Sequence, residues 1–286
     1  MMAYVLIVIL LFQQETRNAI KLNSFLTELG ITNIPPYKEY FMSYNIRLVV
    51  ASSEHMALLK QLEKWNMKYT YAYEFEFSED EMNNAPLYRL RSIVQLPENK
   101  LPDKYGTIYK KECLCSYCGL SESIQQTELH FDTSIMKKRH FINQTATVTS
   151  GSFTIVSEAF ANIMEKKKLS GYTLRPVHHV GSMAKRREVF QLILNNQLPP
   201  LSSAMRFEKM TKEYCAHCNI TGRIFWPLHY DYESIIHSKD FNQSKEMVTI
   251  GNTIIDVMVV SSQFREICKA VKIDRSMVFE PVIVVN

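Results

Sequence analysis

Glycine is scarce. The chain has eight glycines in 286 residues, and none sits in a Gly-rich phosphate loop. Close approach of backbone amides to a phosphate needs clustered glycines, so nucleotide chemistry of the Walker or dinucleotide-binding kind has no sequence support. His-Glu-x-x-His and Gly-x-Ser-x-Gly are also missing, which removes the commonest signatures of zinc proteases and serine hydrolases. Long apolar runs are absent too. Ala3–Phe12 is apolar over ten residues, well short of the roughly 20 that a membrane-spanning helix needs. It lacks a basic leader, and the polar Gln13-Gln14-Glu15-Thr16-Arg17 follows where a secretory signal would place small residues. A strand buried on both faces is the expected fate of this run. The reading is of a soluble, cytoplasmic protein with no membrane partner.

Charge of one sign is also not in excess. The formal net charge is +4, with 22% charged and 46% hydrophobic residues, so the chain should fold as a globule. Lys137-Lys138-Arg139, Lys166-Lys167-Lys168 and Lys185-Arg186-Arg187 are short and scattered. They read as solvated surface, and a nucleic-acid partner is not expected.

What is present is cysteine in a pattern. Four of the six cysteines form two C-x-x-C knuckles, Cys115-Ser-Tyr-Cys118-Gly119 and Cys215-Ala-His-Cys218-Asn219. Two thiolates at this spacing grip one metal ion from a tight turn, and a structural zinc takes four ligands in a tetrahedron. The two knuckles together therefore complete one zinc site of Cys115, Cys118, Cys215 and Cys218. Such a closed site has no open position for hydrolysis. Ordinary reduced cysteines are one alternative. A redox pair is another, but its usual place at a helix start after a strand is not apparent here. Cys113 has Glu213 as its counterpart and reads as a spare thiol or a swapped ligand. His217, inside the second knuckle, reads as exposed or as a replacement ligand. Cys268 reads as a buried apolar residue.

Each knuckle stands in a matching surround. Leu90, Ile93, Val94 and Leu101 precede the first; Phe190, Ile193, Leu194 and Leu201 precede the second at the same offset. Leu129-His130-Phe131-Asp132 and Leu228-His229-Tyr230-Asp231 follow. Then Ile155-Val156-Ser157, Phe160, Ile163 and Pro176-Val177 are echoed by Val259-Val260-Ser261, Phe264, Ile267 and Pro281-Val282. This is an internal duplication, about 85–178 and about 185–285. With only two copies it is a fused pair of half-domains, not a solenoid. Ser157 and Ser261 are placed to cap the helix in each copy, and each Pro-Val suits an edge strand.

Before the repeats, residues 1–78 alternate strand and helix patterns. Leu22, Phe25, Leu26 and Leu29 make one helical stripe, stopped by Gly30; Met56, Leu58, Leu59, Leu62 and Trp65 face inward on a second. With strands over Asn45–Ala51 and Tyr69–Phe77, and one more before Arg47, the order is the βαββαβ of a ferredoxin-like unit. Ser78-Glu79-Asp80-Glu81 has the spacing of a capping box and marks the boundary. The fold class expected is therefore α+β: a ferredoxin-like unit over 1–78, then a duplicated zinc-knuckle α+β domain over 79–286.

The repeated His-x-Asp, His130/Asp132 and His229/Asp231, places each pair on one face of a strand. A second metal or acid/base site would need these four to converge. A repeated surface is the plainer reading, because no nucleophile or third ligand stands at recognisable spacing. His178-His179 has no repeat counterpart.

Two C-x-x-C-G-type knuckles about 100 residues apart, each followed by a Val-Ser-x-x-Phe helix and a Pro-Val strand, resemble the double-CXXCG motif proteins of predatory and gliding bacteria. The resemblance covers about residues 73–285. It departs at Asn219, where the second motif would have Gly; Asn tolerates the left-handed conformation Gly supplies. The resemblance implies a non-catalytic immunity protein that neutralises a cognate toxin, with Cys115, Cys118, Cys215 and Cys218 as zinc ligands. The other readings are a nucleic-acid-associated zinc protein, or a metalloenzyme using the His-x-Asp strands.

Overall fold

The computed structural model describes residues 1–12, 16–31, 41–92, 96, 98–136, 141–144, 151–203, 217, 227–246, 248–250, 253–255 and 257–285. The chain is mixed α and β, with several small sheets, and divides into two compact units, Met1–Glu81 and Met82–Asn286. No helix among the described residues is long and apolar enough to cross a membrane.

In the first unit, β1 (Met2–Phe12), α1 (Thr16–Glu28), β2 (Phe41–Val49), α2 (Ser53–Lys64) and β3 (Tyr69–Glu76) follow in order. Their sheet runs β2-β1-β3, with β1 central and antiparallel to both neighbours. Residues 32–40, where the extra strand is expected, lie outside the described residues. The apolar run is not buried on both faces as expected. Val5, Ile7, Ile9 and Leu11 are buried, while Met2 and Leu10 on the opposite face are half-exposed. Strand side chains alternate, and the two helices contribute to the core on one face only: Leu22 and Leu26 from α1, Leu58 and Leu62 from α2. Met56, expected inward, is exposed. On the open face Arg47 bonds Glu74 at 2.8 Å and Glu76 at 2.6 Å, with its guanidinium 3.5 Å from the Tyr4 ring centre. The capping box forms at α3 (Glu79–Asn84): the Glu81 amide donates to Ser78 Oγ, and the Ser78 amide to Glu81 Oε2.

The second unit holds β4 (Leu87–Ser92), β5 (Tyr109–Cys115), β6 (Leu120–Gln125), β7 (His130–Phe131), β8 (Phe141–Gln144), β9 (Phe153–Ser157), α4 (Glu158–Lys166), β10 (Tyr172–Pro176) and β11 (His178–His179). It continues with β12 (Val189–Leu194), β13 (His229–Asp231), α5 (Tyr232–Ile235), β14 (Phe241–Gln243), β15 (Val248–Ile250), β16 (Thr253–Ile255), β17 (Met258–Ser261), α6 (Ser262–Ala270), β18 (Met277–Pro281) and β19 (Ile283–Val285).

Two four-stranded sheets share one plan, β10-β12-β9-β8 and β18-β4-β17-β14. In the first, Phe190 of β12 lies opposite Val156 and Pro176. In the second, Tyr88 of β4 lies opposite Val260 and Pro281. The inner strand β12 follows the rest of its sheet directly in the chain, whereas β4 comes from about 150 residues before the strands it joins. The partner of Phe190 is Tyr88 and not Leu90. The strands correspond two residues out from the sequence alignment, a slip that preserves the face because side chains alternate with period two. Both Pro-Val strands are edges, where a missing amide costs no ladder bond.

The helices match as well. The Phe160 amide donates to Ser157 Oγ at 3.4 Å, and the Phe264 amide to Ser261 Oγ at 3.2 Å. Past their ends Lys168 and Lys272 both take the left-handed conformation, φ 53 and 60. Phe160 and Phe264 meet with ring centres 6.1 Å apart in a core with Tyr88, Phe141, Phe241 and Phe279.

Candidate metal centre

The first knuckle is the turn of the β5–β6 hairpin. The register shifts between Cys113 and Cys115, so a bulge re-aims the strand just before the turn. Its effect is to separate two cysteines that would otherwise share a face: Cys113 is exposed and Cys115 is buried. Cys118 is half-buried. The Gly119 amide donates to the Cys115 carbonyl at 2.9 Å and closes the turn. Gly119 has φ +71, a conformation that glycine takes without steric cost. The two thiols are therefore presented from one tight, hydrogen-bonded loop, as half of a tetrahedral sulfur set requires.

Tyr117 stands between these cysteines and is 74% exposed. Its ring is stacked on that of His217, with centres 3.7 Å apart and planes 7° apart. His217 holds the same place in the second knuckle as Tyr117 in the first. Cys215 and Cys218, like Glu213 and Asn219, lie outside the described residues. Among the described residues no three of His, Cys, Asp and Glu stand together so as to hold a metal ion. Cys268 is fully buried in α6, and burial pushes its thiol well up, so it stays protonated and behaves as an apolar side chain.

The two His-x-Asp pairs have different surroundings. Asp132 caps a short 3-10 turn, accepting from the Ser134 amide at 3.1 Å and hydroxyl at 2.6 Å. The Ser134 hydroxyl is the largest cause holding its carboxyl below the usual range, helped by Lys100. His130, two residues earlier, pairs in register with His178 of β11. Their rings meet edge to face at 5.3 Å, and His178 Nε2 lies 2.5 Å from Glu128. His179 Nδ1 accepts from the Thr133 amide at 3.3 Å, so its Nε2 carries the hydrogen and donates to the Ser182 carbonyl at 3.1 Å. In the second pair, His229 Nδ1 donates to the Pro227 carbonyl at 2.8 Å, and Ile283 lies opposite. Asp231 is exposed at the start of α5, with no side-chain cap bond.

His130 lies on β7 and Asp132 just past its end, capping the next turn, so these two do not share a strand face as expected; His229 and Asp231 lie on β13, in a separate short parallel pair with β19. The His130–His178–Glu128 grouping has no signal in the sequence, because it depends on β11 pairing with β7 in parallel. The Tyr117–His217 contact had one: the two residues occupy the same position in both knuckles. Of the basic clusters, Lys166–Lys168 is exposed, as is Lys185–Arg187, where the Arg187 guanidinium donates to the Met136 carbonyl. Lys137–Arg139 lies outside the described residues.

Compared with known proteins, the chain matches no family model, no curated protein and no solved structure.

Proposed function

We propose that this chain is a non-catalytic, zinc-stabilised protein-binding protein of α+β fold. The observation that carries the zinc reading is the stacked Tyr117–His217 pair. His217 is joined by one peptide unit to Cys218, a Cα step of about 3.8 Å. Contact at the knuckle tips therefore favours one ion shared by Cys115, Cys118, Cys215 and Cys218. Four thiolates would supply charge neutralisation and a tether between segments about 100 residues apart, with no coordination position left for substrate. Within the chain, the turn at Gly119 fixes Cys118, and the bulge after Cys113 turns Cys115 inward.

The finer fold reading belongs to the same proposal. Three strands ordered β2-β1-β3, all antiparallel, are what strands three, one and four of a ferredoxin-like unit would give. Matching registers, caps and left-handed helix ends in the two large sheets favour an internal duplication. The particular function proposed is that of a cytoplasmic immunity protein that neutralises a cognate bacterial toxin by covering its surface. That step rests on the resemblance of the knuckles and their flanks, not on the geometry.

Elemental analysis of untagged protein tests the site. One zinc per chain is expected, lost in both Cys115→Ser and Cys215→Ser; metal-free wild-type protein would overturn the reading. For the partner, growth arrest by the product of the neighbouring reading frame should be relieved by co-expression of this chain. Arrest that persists despite abundant folded protein would remove the immunity assignment and leave the zinc site standing.

A further inference from the structure

Arg265 of α6 is a buried cation, its side chain 8% exposed. Counted from the capping serine, the same place in α4 holds Ala161, also buried. One helix thus buries a charge where the other buries a methyl group. A buried guanidinium is costly unless its donors are met. Arg265 Nη1 donates to Glu266 Oε1 at 3.4 Å, and that same oxygen takes Lys269 Nζ at 2.8 Å. The guanidinium carbon lies 4.9 Å from the ring centre of Tyr88, a contact that offsets part of the burial. A guanidinium has five N–H donors, so most of those on Arg265 have no acceptor among the described residues.

Arg265 lines a cavity of about 330 Å³ within the second unit, at the small end of the range for ligand pockets. Met82, Met277 and Phe279 supply an apolar wall, and Lys269 and Asp274 the remaining charges. Tyr88 holds two parts of that wall: its hydroxyl donates to the Met82 carbonyl at 2.6 Å, and its ring meets Phe279 edge to face at 6.1 Å. Lys269 is already paired with Glu266. The Asp274 carboxylate makes no hydrogen bond or ion pair among the described residues, and caps nothing in its own turn. A cation and an anion therefore line one apolar-walled cavity without pairing with each other.

We propose that this cavity binds a free α-amino acid with an apolar side chain. The ligand carboxylate accepts from Arg265, whose planar fork matches a carboxylate. Its ammonium donates to Asp274, and its side chain rests on Met82, Met277 and Phe279. Methionine adapts to the shape of what it covers. A phosphate fits less well, because Asp274 repels a second negative charge. A purely apolar ligand also fits less well, because it would cover both charges and pair neither.

The test is isothermal titration calorimetry of the full chain with L-leucine and its charge-deleted analogues. 4-Methylpentanoate lacks the ammonium and 3-methylbutylamine lacks the carboxylate. We expect one leucine per chain, and each analogue to bind about 10-fold or more weakly, as loss of a charged hydrogen bond implies. Glycine, which has no side chain for the wall, should also bind more weakly. Arg265→Gln should remove the difference between leucine and 3-methylbutylamine, and Asp274→Asn that between leucine and 4-methylpentanoate. The analogue comparison uses wild-type protein, so it holds whether or not Arg265→Gln folds. No binding of leucine at millimolar concentration, or binding of glycine or either analogue as tight as that of leucine, would overturn the proposal. So would leucine binding unchanged in a folded Arg265→Gln or Asp274→Asn.

Discussion

The two large sheets of the second unit pair residue for residue, yet the core between them is lopsided. Phe160 of α4 meets the rings of Phe141 and Phe264. Phe264 of α6 meets Phe141, Phe160, Phe241 and Phe279, the nearest at 4.7 Å. Both are fully buried behind the same serine cap. Backbone register is set by the alternation of apolar residues and survives change in side chains. Ring packing is set by which side chains meet, and it differs between the two helices.

Truncation at these positions should expose the difference. Phe→Ala in a core costs about 3–5 kcal/mol, the spread reflecting how far the site collapses. Phe160→Ala is expected near the lower end. Phe264→Ala, which loses four aromatic contacts, is expected near the upper end, and Phe264→Leu is the milder companion variant that keeps the comparison readable if the alanine chain does not fold. Urea titration of the three variants gives the comparison. Equal losses at the two positions would mean that the ring contacts add nothing beyond burial.

Much of this plan was legible in the sequence, for stated reasons. The serine caps were readable because a hydroxyl before an apolar stripe has one economical use, and both form. The edge position of Pro176 and Pro281 followed from the missing amide. The strand correspondence was read two residues off because Leu90 and Phe190 are both apolar, and an apolar pattern of period two cannot detect an even slip. The open face of β1 was misread because a ten-residue apolar run does not say how many faces will be covered. At the candidate centre the knuckle turn was readable from Gly119. The bulge that parts Cys113 from Cys115 was not, because it arises from pairing with β6. The neighbours of His130 were hidden for the same reason: Glu128 is local, but His178 arrives through a tertiary strand pairing.

The caps themselves offer a finer test of the same asymmetry. Replacing an N-cap serine by alanine costs about 1 kcal/mol in general. Ser261 Oγ does a second job: it donates to Asp240 Oδ1 at 2.6 Å, and Asp240 Oδ2 in turn accepts from the Ser170 amide and hydroxyl at 2.8 Å each. Ser261→Ala therefore strips a cap and also a charge-assisted bond, which is the stronger kind. A loss of about 2 kcal/mol is expected there, of which the cap alone accounts for about 1 kcal/mol; Ser157→Ala is the matching variant in the other helix. Thermal unfolding of the two variants with Asp240→Asn as a third completes the comparison. If Ser261→Ala costs no more in the Asp240 background than outside it, the two groups act independently and the asymmetry is not in this bond.

The smallest expected effect is at Asp132. The Asp132 carboxyl is held below its usual range, first by the Ser134 hydroxyl and then by the Ser134 amide and Lys100. A carboxyl with a depressed folded pKa adds stability that is fully present above its unfolded value, near 4, and is lost as pH falls through the folded value. Partial exposure and solvent screening keep this contribution modest. Unfolding midpoints of wild type should therefore fall more steeply below about pH 4 than those of Asp132→Asn, with the two curves converging in acid. Parallel curves for wild type and Asp132→Asn would place the acid sensitivity of the first half elsewhere than at this turn.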